Sequence, residues 1–67
     1  MKSSIKIAGI RNAEDVHKIK NAISSNQGVV ACEVSLEKGD AKIIHDEFFA
    51  SLEKIIDSIE SLGYTVL

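Results

Sequence analysis

The residues able to do chemistry are crowded into one short stretch, where Arg11, Asn12, Glu14, Asp15 and His17 follow a glycine at position 9. Asn12 and Asp15 offer an amide oxygen and a carboxylate, both hard donors, and His17 a borderline nitrogen. As ligands for a metal ion Asn12 and Asp15 would both be weak, and His17, one helical turn past Asn12, could flank a site with Asp15. Asn12 and Asp15 also suit a purely structural task. Asparagine is a preferred helix N-cap, and an acid three residues later resembles a capping box in its weaker Asn/Asp form. Glu14 and Asp15 also put negative charge where a helix dipole favours it. Arg11 beside a helix start invites a phosphoryl group. Glu14 and Asp15 would repel one.

The remaining candidates are scattered. Cys32 sits in a strand-like alternation and reads as a small core residue. His45 ends another strand pattern. His17, Cys32 and His45 do not have the ligand spacing of a zinc site. No Ser-His-Asp or Cys-His pairing can be argued, so no catalytic residue is named and no enzyme is expected. Tyr64, after Gly63, should return to the end of the molecule that holds Gly9 to Asp15, where an aromatic ring can cover a small core.

Six elements must position these groups. Ser3 to Ala8 alternates as a strand, and Gly9 breaks it. From Ala13 to about Ser25, Val16, Ile19, Ala22 and Ile23 form a helical stripe, ended by Ser24 to Gly28. Val29 to Glu37 predicts a second strand with Val30, Cys32, Val34 and Leu36 on one face. Lys38-Gly39-Asp40 turns into a third strand, Ala41 to His45, forming a hairpin. Phe48 and Phe49 are expected to anchor the entry to a second helix, with Ser51 or Asp46 as its N-cap. Leu52, Ile55, Ile56, Ile59 and Leu62 form its stripe, and Tyr64 to Leu67 a last strand. The order βαββαβ implies an α+β, ferredoxin-like sandwich: a four-stranded antiparallel sheet with both helices on one face.

A chain of 67 residues should make a single domain spanning 1–67, and two layers are about the limit at this size. The net charge of −2, with eight basic residues among ten acids and no basic stripe, argues against nucleic acid as a partner. One cysteine rules out an internal disulfide and fits a reducing compartment. No run approaches membrane-spanning length, so membrane insertion is not expected and a cytoplasmic location is the default.

With these residues in view, the chain resembles the heavy-metal-associated domain family: small copper chaperones, mercury carriers and the N-terminal modules of metal-transporting P-type ATPases. The resemblance rests on Ile7-Ala8-Gly9-Ile10, Val16 to Ile23, Gly28-Val29, Cys32 to Leu36, Gly39 to Ile43 and Ile55 to Tyr64. It runs from about Ser3 to Leu67. It implies a metal-binding or metal-transport role, and a metal site at a Gly-Met-x-Cys-x-x-Cys motif. Here Ile10 takes the Met position, and Asn12-Ala13-Glu14-Asp15 replaces the Cys-x-x-Cys. Soft, low-coordinate Cu(I) strongly prefers sulfur, so this degenerate site opposes transfer of Cu(I) by ligand exchange. Two functions follow. One is a copper chaperone-like protein with metal, if any, at Asn12, Asp15 and His17. The other is a metal-independent module that binds a protein partner or forms a homodimer.

Overall fold

The computed structural model describes residues 1–46, 48–49 and 51–67. Its elements are β1 (Lys2–Ala8), α1 (Ala13–Ser24), β2 (Val29–Ser35), β3 (Asp40–His45), α2 (Leu52–Glu60) and β4 (Thr65–Val66). The sheet has the strand order β2-β3-β1-β4, and each neighbouring pair is antiparallel. This is the expected ferredoxin-like sandwich.

Isoleucine builds the core. Ile5 and Ile7 of β1, Ala41 and Ile43 of β3, Ile19 and Ile23 of α1, and Ile55 and Ile59 of α2 are all buried. The strand residues alternate with the exposed Lys2, Ser4 and Lys6 and with Lys42 and Ile44, because successive side chains leave a strand on opposite faces. The helical ones recur four apart, which keeps them on one stripe. β1 lies between its two partners, and its pairing continues beyond the strands. The Ile7 amide donates to the Gly39 carbonyl at 2.9 Å, and the Leu67 amide to the Lys6 carbonyl at 2.8 Å.

The two helices are capped as their sequences suggest. Asn12 accepts from the Asp15 amide, and Ser51, rather than Asp46, accepts from the Lys54 amide. Asp46 instead accepts from the Phe48 amide in a local turn. At the far end of α1 the Asn26 side chain donates to the Ala22 and Ile23 carbonyls and to Ser58 Oγ of α2. One amide thus closes one helix and ties it to the other.

Several sequence expectations need correction. A bulge between Val29 and Ala31 adds a residue to β2. Val29 therefore packs against the core and Val30 is 75% exposed. Leu36 lies beyond the end of β2, in the turn, and is exposed. α2 stops at Glu60, so Leu62 falls outside its buried stripe and is exposed. Phe48 and Phe49 do not anchor α2 in the core. Both are exposed, with their rings tilted against each other at 5.9 Å.

Candidate functional site

Gly9 turns the chain out of β1 with φ at +101°, a backbone region that side-chain-bearing residues rarely adopt. A Cβ there would also lie 3.4 Å from the Tyr64 ring. Ile10 and Tyr64 both pack against the core, while Arg11, Asn12, Ala13 and Glu14 are exposed. The loop therefore rests on its own apolar residues, with its polar ones outward.

Asp15 is the hub. Its amide donates to Asn12 Oδ1 at 3.0 Å, and its Oδ2 accepts from the Arg11 amide at 3.0 Å. In an ordinary capping box the acid would reach the amide of the cap residue itself. Here it reaches one residue further back. Its Oδ1 accepts from the Tyr64 hydroxyl, at the opposite end of the chain. Both carboxylate oxygens thus carry a donor.

The electrostatics follow from these bonds. The Tyr64 hydroxyl and the Arg11 amide hold the Asp15 carboxyl below its ordinary value, with Lys18 adding to the effect and partial burial opposing it. Tyr64 responds in the opposite sense. Donating to a carboxylate, and losing some water, pushes its phenol up to about 12. Its deprotonation would set an anion against an anion.

The other sequence candidates lie apart from this hub. His17 is exposed on α1. Cys32 is half-buried against the later part of α1, its Sγ 3.4 Å from Ser24 Oγ and 3.9 Å from the Lys20 carbonyl. His45 is buried at the far end of β3, its Nε2 2.9 Å from Ser3 Oγ. Among the described residues no three of His, Cys, Asp and Glu are grouped so as to hold a metal ion. The contribution of Tyr64 as a hydrogen-bond donor to Asp15 was missed at the sequence level. The only signal for it was its expected return to the Gly9 end.

Chemically the hub offers oxygen. Asn12 Oδ1 and both oxygens of Asp15 are already engaged, and no sulfur is among the partners of Asp15. This donor set does not fit Cu(I). A hard divalent ion would have to displace Tyr64 or share Asp15 with it.

Comparison with known proteins decides the family. The model of the heavy-metal-associated domain matches residues 4–65. The chain belongs to the heavy-metal-associated domain family. This heavy-metal-associated domain is 30% identical over 63 residues to the copper chaperone CopZ of Staphylococcus saprophyticus, covering 94% of this chain and 93% of that protein. It is 37% identical over 60 residues to the human copper-transporting ATPase 2, covering 90% of this chain. It spans only 4% of the length of that ATPase. Among solved structures, a CopZ metallochaperone superposes with a TM-score of 0.97 at 22% identity, over 100% of both chains. A copper-ion-binding protein described as putative, from Bacillus anthracis, gives 0.96 at 24% identity, over 100% of this chain and 94% of that one. At these identities the two structures speak for the fold. Among the described residues no helix is long and apolar enough to cross a membrane.

Proposed function

We propose that this heavy-metal-associated domain has a metal-handling, copper chaperone-like role, with a loop that no longer exchanges Cu(I) through thiolates. The observation that carries this reading is the double occupation of the Asp15 carboxylate by Tyr64 and the Arg11 amide. A loop held by its own hydrogen bonds keeps its shape without an ion. Any metal taken at Asn12 and Asp15, with His17 on the flank, is then a divalent one bound weakly, because it competes with the Tyr64 hydroxyl. The similarity to CopZ over nearly the whole of both chains supports a place in copper handling, with a protein as partner.

Native mass spectrometry of the reduced protein with Cu(I) and with Zn(II), against a weak chelator, tests the reading. We expect no Cu(I) adduct to survive, and a Zn(II) adduct that Asp15→Ala abolishes. A one-to-one Cu(I) adduct that survives the chelator and persists in Cys32→Ser would overturn it.

The second reading, a module that recognises a partner or itself without metal, is favoured by the same self-sufficient loop. It predicts complexes indifferent to chelators.

A further inference from the structure

At the end of the molecule away from Gly9, apolar side chains gather on the surface. Met1, Val30, Ile44 and Phe48 line one shallow concavity, with His45 and Asp46. The Phe49 ring lies tilted against that of Phe48, with centroids 5.9 Å apart. Val30 is 75% and Phe48 91% exposed. The bulge in β2 that lets Val29 into the core is what turns Val30 outward. A contiguous apolar patch is uncommon on a small monomer and usually marks a contact.

We propose that this face, centred on Val30, Ile44 and Phe48, is an isologous contact with a second copy of the same chain. Two observations select that occupant. The first is charge. Around Ile44 the described rim carries the Lys2, Lys42 and Met1 amino groups together with the Glu33 and Asp46 carboxylates. A two-fold contact brings a patch against itself, so mixed signs allow each lysine an acid across the axis, whereas a single sign would repel. A nucleic acid or an anionic lipid surface would want that rim basic.

The second is area. An aromatic side chain buries roughly 150–250 Å², so Phe48 with Val30, Ile44 and part of Phe49 offers on the order of 500 Å² from each copy. Doubled, that is about 1,000 Å², the lower bound for a specific interface. The dimer is therefore a weak one. It needs neither metal nor the Asp15 loop. The inference stands whether or not the proposed function does.

Sedimentation equilibrium of the full chain with reductant and chelator, from about 10 μM to 1 mM, is the test. The mass should rise from 7.3 kDa toward twice that value. Val30→Lys and Phe48→Ser, both at exposed positions, should each weaken association at least tenfold. Leu62→Lys, an exposed apolar position two residues from Tyr64, should leave it unchanged. Amide shift changes in the unsubstituted chain on dilution should centre on Val30 and Ile44, which keeps the test independent of the variants. A mass fixed at 7.3 kDa up to the highest concentration overturns the proposal, and so does association that Leu62→Lys removes. A chain that stays monomeric while the Val30 and Ile44 amides shift on adding zwitterionic detergent micelles overturns it in favour of a lipid surface.

Discussion

Tyr64 donates its hydroxyl to Asp15 Oδ1 and so joins two segments 49 residues apart in sequence. The bond fastens the turn after α2 to the first turn of α1, over a glycine whose missing side chain leaves room for the ring. Tyr64→Phe keeps the ring and removes the bond. Protection of the Arg11 amide in hydrogen exchange should fall several-fold, with the sheet amides unchanged. Equal protection in the variant would mean that the bond does not hold the loop.

The pH dependence has a definite sign. Tyr64 has its phenol raised from 10.0 to about 12, so its contribution is complete below 10 and fades as the pH rises toward 12. Asp15 is lowered from 3.8, so its contribution is present above that value and fades as the pH falls through the lower folded-state value. Tyr64 is the only tyrosine and there is no tryptophan, so tyrosinate absorbance reports on it alone. We expect titration near 12, returning toward 10 in Asp15→Asn.

Asn12→Ala should destabilise the fold by about 1 kcal/mol, the usual worth of a helix N-cap, and Asn12→Ser by only a few tenths. Urea unfolding would read this directly. An undiminished midpoint for Asn12→Ala would mean that the Asp15 contact to Arg11 caps the helix alone.

Within the core, Ile43→Val should cost roughly 0.5–1.5 kcal/mol and Ile19→Ala roughly 2–5 kcal/mol. Both residues are wholly buried, and a chain of 67 residues has little stability in reserve. Ile19→Ala is expected to be largely unfolded at 37 °C, as circular dichroism would show.

Replacing Asn12 and Asp15 together by cysteine should create chelator-resistant Cu(I) binding if the loop keeps the geometry of its family. The same variant loses the N-cap and the bond to Tyr64, so its apo form should be less stable than the parent and regain stability with Cu(I). A folded variant without Cu(I) affinity would show that the loop has left the geometry of its family.

Element order, caps and the isoleucine stripes were legible because each rests on local chemistry: periodicity, a glycine, an asparagine before acids. The failures are equally specific. Val30 fits its strand alternation, yet a bulge moved Val29 into its place, and no turn residue announces a bulge there. Phe48 and Phe49 stand just before α2, but it is Leu52 and Ile55 that pack in the core while both rings stay exposed, so hydrophobicity alone misplaced them. The capping role of Asn12 could be read from three neighbouring residues. The bond from Tyr64 could not, because it depends on how the sixth element returns beside the first.

The stripe that α1 buries begins at Ile19, one full turn after Asp15. Positions 12 and 15 can therefore change their chemistry without disturbing the packing beneath them. A scaffold with that separation can gain or lose side-chain bonds at positions 12 and 15 while the buried Ile19 and Ile23 stay where they are. Its evolvability resides in one helical turn.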